Sequence, residues 1–395
     1  MTDSQHESSE ATAWLREELD LRESQGLRRR RRTITARPNG ECEIDGRRLL
    51  NFASNDYLGL AQHPRLREAA RQAVDEYGVG AGASALVTGR TGWHERLEDR
   101  ISQFEDTEST LLFPTGYAAN VGTIAALVGR GDVVFSDSLN HASLIDGCRL
   151  SRATVCVFPH QDVRAVEVDL RKHRSARRRL IVTNGVFSMD GNVAQLRQLH
   201  DLAEQYDALL LVDEAHSTGV LGESGRGACE LLGVESHRVV RVGTLSKGIG
   251  ALGGFVTGAQ VLADYLWNAA RTQVFSTSMP PAICAAACAA IDVIEQEPGR
   301  RELVLQRTQQ LRAPLERAEL LSPTAQLTPI VPVILGDAER TVSVAAQLEA
   351  EGILVAAIRP PTVPVGTSRL RISLSSAHTE SAVEDLAQSL LKCVH

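Results

Sequence analysis

The chain has no CxxC pair and no Cys/His spacing of the kind that holds a metal. Its seven cysteines, at 42, 148, 156, 229, 284, 288 and 393, are scattered and odd in number. That fits reduced thiols and not a disulfide framework. Cys284 and Cys288 lie one helical turn apart in an alanine-rich stretch and read as small core residues. Long apolar runs are missing too. The longest, Pro280 to Ile291, is mostly alanine and too short to span a bilayer. Met1 to Ala13 is polar and acidic, without the apolar centre of a signal peptide. There is no internal repeat and no low-complexity linker. Basic charge is not in excess: the net charge of -7 weighs against nucleic acid as the main partner. These absences set the expectation of a soluble, cytoplasmic protein without a metal, membrane or nucleic-acid partner.

What remains is ordinary globular composition, with 43% hydrophobic and 23% charged residues over 395 positions. That length predicts two or three domains. Residues 1 to about 10 read as disordered, and Trp14 to Leu27 as a modest amphipathic helix. The arginine run Arg28 to Arg32 reads either as the solvated end of that helix or as a substrate contact. Glu43 to Phe52 reads as a hairpin turning at Asp45-Gly46. From about 60 to 290, short apolar strands alternate with helices. The strands are Thr110–Phe113, Val133–Phe135, Val155–Phe158, Leu180–Thr183, Leu209–Val212, Val239–Val242 and Phe255–Thr257. Continuous apolar runs of this kind belong to strands covered on both faces, so the pattern predicts an α/β domain with a mostly parallel sheet. Beyond about 290 the pattern becomes α+β. A charged helix, Arg300 to Leu320, precedes strands at Ile330–Leu335, Ile353–Ile358 and Leu370–Leu374, with helices near 339–350 and 379–392. The expected division is residues 1–59 as tail, helix and hairpin, 60–290 as the large domain, and 291–395 as the small one.

The residues with chemistry to offer fall on loops leaving the strands, where open α/β sheets bind ligands. Lys247, in Gly243-Thr244-Leu245-Ser246-Lys247-Gly248, is placed where an amine can reach a carbonyl and form a Schiff base. The hydroxyls of Thr244 and Ser246 suit a phosphate beside it. Asp213 ends an apolar strand, so its carboxylate will be partly buried and will want a partner. A protonated pyridine nitrogen is one solution and a helix N-cap is the other. Amine, phosphate site and buried carboxylate together point to pyridoxal phosphate (PLP). Gly116 and Tyr117 open a helix after a strand, where backbone N–H groups bind phosphate, although a plain strand-to-helix turn has the same sequence. His141 suits stacking on a pyridine face or a polar cap. His216 and Ser188 suit a phenolic oxygen. Ser276 to Pro281, including Thr277, reads as a loop followed by a proline-started helix. Arg359 lies in a proline-stiffened loop, and Arg371 shares a strand face with Arg369. Either arginine suits a carboxylate, and either can equally be a surface residue.

Assembled in order, these stretches resemble the α-oxoamine synthases, a family of fold-type-I PLP enzymes. The likeness runs from about Leu19 to Leu390. It is carried by Asn51-Phe52-Ala53-Ser54-Asn55-Asp56-Tyr57-Leu58-Gly59-Leu60, by Gly185 to Gly191, by the Asp213 to Gly219 loop and by Gly243 to Gly248. Ala357 to Pro364 and Ser276 to Pro281 look most like the biotin-pathway branch. The resemblance implies PLP-dependent decarboxylative condensation of L-alanine with a pimeloyl thioester, either pimeloyl-CoA or pimeloyl-acyl carrier protein, in a homodimer with shared active sites. It implies Lys247 as the Schiff-base lysine, Asp213 as pyridine partner, His141 as stacking residue, and His216 and Ser188 at the phenolic oxygen. Gly116, Tyr117 and Thr244 match phosphate-side positions, with Thr277 reaching across a dimer interface. Arg28, Asn55, Arg359 and Arg371 match substrate-side positions. The chain departs from the branch at Asn184, where glutamate is usual, at Gly82 to Leu86, and at Ser246 to Gly250. A sibling synthase using glycine, an aminotransferase and a non-catalytic subunit of the same fold are the other readings of the pattern.

Overall fold

A computed structural model describes residues 10–321 and 326–394; the expected disorder of residues 1 to about 10 lies almost wholly outside them. The centre of the molecule is a seven-stranded sheet in the order Ser109–Phe113, Gly254–Gly258, Val239–Thr244, Leu209–Asp213, Arg179–Asn184, Val133–Asp137, Thr154–Phe158. Six strands are parallel, and Gly254–Gly258 alone runs antiparallel to both its neighbours. Alternate side chains serve opposite faces. Val133, Phe135, Ile181, Leu210 and Val212 enter one core, while Val134, Leu180, Val182, Leu211 and Val242 enter the other. That double burial is why the runs read as continuously apolar.

The helices follow their patterns. Leu196–Gln205 buries Leu196, Leu199, Leu202 and Ala203. Pro281–Gln296 starts with proline at its first turn, where no N–H is needed. Its alanines let it pack closely on the helix Pro64–Tyr77, through Ala73, Ala282 and Ala285. The hairpin pairs Glu41–Ile44 with Arg47–Asn51 and turns at Asp45 and Gly46, both with positive φ, as a type I′ turn requires.

Two readings need correction. The sequence predicts one strand at Ile353–Ile358. Instead Ile353–Leu354 adds in parallel to the N-terminal hairpin, while Ala356–Ile358 pairs antiparallel with Arg369–Arg371. The helix at the N-terminus spans Ala13–Ser24 and buries none of its residues, so its apolar side chains meet no core within this chain. The arginine run lies beyond it in irregular backbone, with Arg28 and Arg30 near Glu23 and Arg32 forking onto Glu349.

At the far end, Ile330–Gly336, Ser368–Ser373 and Ala356–Ile358 form a three-stranded sheet with Ser368–Ser373 in the middle. The helices Gly299–Arg317, Ala338–Ala350 and Glu380–Val394 complete this region. Among the described residues no helix is long and apolar enough to cross a membrane.

Candidate active site

Five parallel strands end around one cavity of about 250 Å³. Each contributes through its last residue, the segment that follows it, or both: Thr115 to Tyr117, His141, Asn184 with Ser188, Asp213 with His216, and Thr244 with Lys247. Crossing connections put the five loops on one sheet edge, although 132 positions separate Thr115 from Lys247 (247 minus 115).

Asp213 is buried. Its Oδ2 accepts from Asn120 Nδ2 at 2.7 Å and its Oδ1 from the Ala215 N–H at 2.9 Å. Two neutral donors hold the carboxylate, and among the described residues no ion pair neutralises it. A buried carboxylate in that state fits a cationic ring nitrogen. The cap reading is half right, because the Ala215 contact closes a turn but no helix starts there. Asn120 Oδ1 is buried without a partner, a further polar atom for a bound group to meet.

Lys247 Nζ lies 3.0 Å from His216 Nε2. Burial, opposed by the Asp213 carboxylate and aided by Arg371, pulls the amine down to about 8. Burial, with Lys247, Arg371 and His141 adding repulsion, holds His216 well below its ordinary value. An amine near 8 is a workable base at neutral pH. At the opposite wall, Thr115 caps the helix Gly116–Leu127 by accepting from Ala118 N–H at 3.0 Å. The helix N-terminus, with Thr244 and Ser246 beside it, has the form of an anion cradle; both hydroxyls donate to the Gly253 carbonyl, at 2.8 and 3.5 Å. A Cβ on Gly116 would sit 3.1 Å from Thr244 Cβ, so glycine keeps the cradle open. Tyr117 hydrogen-bonds Asp146 at its mouth. His141 takes the cap role, accepting from Ser143 N–H at 3.3 Å at the start of the helix Ala142–Ser151, and its side chain also lines the cavity.

Behind Lys247 stands Arg371, which is only 4% exposed. It is no surface arginine. Its Nη1 donates to Asn55 Oδ1 at 3.0 Å and to Ser373 Oγ at 2.8 Å, and its Nε donates to Ser188 C=O. Arg369, on the same face, is tied to Asp190 at 2.5 Å. Asn55 and Arg371 therefore come together, and both connect through Tyr57 to His216. Arg28 and Arg359 meet each other, Arg359 Nη2 donating to the Arg28 carbonyl at 3.2 Å, at a loop whose Pro360-Pro361 bond is cis. They are outside the cavity that holds Lys247. Thr277 is exposed and also outside it, bridged to Ser84. Sequence reasoning passed over Tyr57, Asn120 and Ser143. Tyr57 stood in a quoted stretch, but its role depends on a contact 159 positions away. Glu214 proves structural, accepting from the N–H groups of Ala228 and Cys229 at 2.9 and 2.7 Å.

The architecture and the lysine, aspartate and histidine at one sheet edge are those of a fold-type-I PLP transferase. The family model "Aminotransferase class I and II" matches residues 47–390. Within that class, the 8-amino-7-oxononanoate synthase of Geobacter metallireducens is 48% identical, over 95% of this chain and 95% of its own. The 8-amino-7-oxononanoate synthase 2 of Bacillus subtilis is 45% identical over 95% and 96%. The chain belongs to the aminotransferase class I and II family and, within it, to the 8-amino-7-oxononanoate synthases. Among solved structures, Sphingomonas wittichii serine palmitoyltransferase superposes with a TM-score of 0.91 at 32% identity, covering 97% of each chain. The 8-amino-7-oxononanoate synthase of Francisella tularensis superposes at 0.74 with 28% identity, covering 88% of this chain and 96% of that one. A serine palmitoyltransferase variant from S. paucimobilis has been solved with a bound PLP-myriocin aldimine.

Proposed function

We propose that this chain condenses L-alanine with a pimeloyl thioester, releasing carbon dioxide and the free thiol carrier and yielding 8-amino-7-oxononanoate. The observation that carries the reading is the single cavity in which Lys247 faces His216 with Asp213 buried beside them and Arg371 behind. PLP is the cofactor; when bound it supplies an electron sink for the charge left on the amino acid's α-carbon. Lys247 would hold it, Asp213 would hold the pyridine nitrogen, and His141 would cover the ring. His216 and Ser188 would meet the phenolic oxygen. The Gly116 helix start, Tyr117 and Thr244 would take the phosphate.

The protein's own part is positioning and proton movement. Arg371, assisted by Asn55, would bind the amino-acid carboxylate through its charge and the Nη2 N–H that no protein contact takes among the described residues. That fixes the α-carbon so that the uncharged Lys247 amine can take its proton. Arg359 and Arg28, which meet outside that cavity, would receive the acyl substrate. A homodimer with Thr277 completing the partner's site belongs to this reading. Its support is the exposure of Val79, Val87 and Phe275 around the Ser84–Thr277 bridge. Cytoplasmic placement follows from biosynthesis on a soluble thioester.

The test is a spectral titration of the PLP-loaded protein with L-alanine, glycine and L-serine, followed by pimeloyl-CoA with a thiol-release assay. An alanine-selective change and thiol release on adding pimeloyl-CoA is the expected result. Response to glycine or serine alone moves the chain to a sibling reaction.

A further inference from the structure

Tyr57 has no accessible surface, and its hydroxyl is the meeting point of three parts of the chain. Oη lies 2.6 Å from His216 Nδ1, 3.3 Å from Arg371 Nη2 and 3.2 Å from Asn55 Oδ1. On the other side of the imidazole, Nε2 faces Lys247 Nζ at 3.0 Å. The donor inventory orders these contacts. A guanidinium only donates, so Arg371 occupies a lone pair of Tyr57 Oη. Two acceptors compete for the single hydroxyl proton: Asn55 Oδ1 at 3.2 Å, which also accepts from Arg371 Nη1 at 3.0 Å, and His216 Nδ1 at 2.6 Å. The much shorter contact, to His216 Nδ1, takes it. An uncharged imidazole that accepts at Nδ1 carries its proton on Nε2.

We propose that Tyr57 is a positioning residue that fixes His216 as the Nε2–H tautomer, so that the ring donates into the cofactor cavity, and that it ties this orientation to Arg371. The proposal rests on the cavity being a PLP site and is independent of which acyl thioester reacts. The resulting chain runs one way: Arg371 donates to Tyr57, Tyr57 to His216, and His216 to the acceptor at Nε2. In this structure that acceptor is Lys247 Nζ, a role only the uncharged amine can fill. Burial, reinforced by Lys247, Arg371 and His141, keeps His216 uncharged, although the Asp213 carboxylate lines the same cavity. With a phenolic oxygen in the cavity, the same Nε2–H is the donor that an oxyanion needs. Without the Tyr57 hydroxyl, Nδ1 loses its donor. The ring is then free to carry its proton there and turn a lone pair toward the oxyanion.

The tautomer is read directly by nitrogen NMR of the PLP-loaded protein with labelled histidine, the His216 signals being assigned by their loss in His216→Asn. Expected in the wild type is a proton on Nε2 and a bare Nδ1. In Tyr57→Phe, which keeps the packed ring, a mixture of tautomers is expected. The pH titration of the bound cofactor's absorbance, recorded without substrate, should shift its midpoint. The amino-acid kcat/KM should fall roughly tenfold, the scale of one hydrogen bond. Adding Tyr57→Phe to His216→Asn should cost nothing further, because the tyrosine acts through the histidine. A proton on Nδ1 in the wild type overturns the proposal, and so does an additive double variant with an unmoved titration. If Tyr57→Phe does not fold, the wild-type spectrum decides alone. A wild type that shows no cofactor band overturns the cavity assignment itself, an outcome separable from a wrong tautomer.

Discussion

Lys247 shows how one side chain's surroundings set both reactivity and stability. Its amine titrates at about 8 in the folded protein against 10.5 for an ordinary lysine, chiefly because burial penalises the charge. Between those values the unfolded chain holds the additional proton, so stability rises with pH across that window. In the cofactor-stripped protein, the melting temperature should climb from pH 8 to 10.5. Lys247→Met should flatten that climb and abolish turnover. An unchanged slope in the variant would assign it to another group. Arg371 sets a second expectation. Its planar fork meets Asn55, Ser373 and the Ser188 carbonyl at once, a geometry an ammonium cannot copy. Arg371→Lys should raise the amino-acid KM by about a hundredfold, the size of losing a buried, charge-assisted hydrogen bond. A KM within twofold of wild type would remove Arg371 from carboxylate binding.

Elements were legible where burial is symmetrical and illegible where the partner is distant. Six of the seven central strands are buried on both faces, and the seventh, Thr154–Phe158, is apolar in sequence although Val155 and Val157 are exposed at the sheet edge, so each was visible; the structure mostly extends them by a residue or two. Asp213 and Thr244 themselves turn out to be strand residues. Ile353–Ile358 misled because nothing local states that Leu354 pairs with Asn51 and Ala356 with Arg371. The site was legible in the same measure. Lys247, Asp213, His141 and Thr244 stand at strand ends, which sequence reveals, whereas Tyr57 and Asn120 act only through tertiary contacts. The strand that leads into Lys247, Val239–Thr244, also carries a sharp packing constraint. A Cβ on Gly243 would lie 2.1 Å from Phe255 Cζ on the neighbouring strand. Gly243→Ala must push that ring aside, at a cost of about 1–3 kcal/mol. Because Gly243 is four residues from Lys247, the shift should also weaken cofactor retention, measurable as a lower melting temperature together with a higher PLP dissociation constant. A variant as stable as wild type would mean that Phe255 has room to move.

At the scale of the whole molecule, two features extend beyond the single cavity. Glu105, buried below the sheet, ends up at about 8 because burial outweighs the attraction of Arg241 at 3.2 Å, and one of its oxygens has no hydrogen-bond partner. Here the folded chain holds the additional proton between 4.5 and about 8, so stability falls as pH rises through that range. Glu105→Gln should remove that fall, as followed by denaturant midpoints, while a midpoint that keeps its pH slope would exonerate Glu105. The second feature is an uncovered surface. Val87 and Phe275 are 73% and 70% exposed. They belong to the touching segments at 85–89 and 271–275, beside the backbone bridge from Ser84 to Thr277. Apolar side chains gathered beside candidate phosphate-binding hydroxyls are what an interface between two copies requires, because one contact would bury the patch and deliver Thr277 to the other copy's cofactor. Val87→Arg places an unpaired charge at that contact. It should shift sedimentation from dimer to monomer while leaving the far-ultraviolet circular dichroism unchanged. PLP affinity should fall with protein concentration in the variant, and adding a Thr277→Ala change should then have no further effect on the monomer. A wild type that sediments as a monomer with full PLP affinity would show that each chain closes its own site.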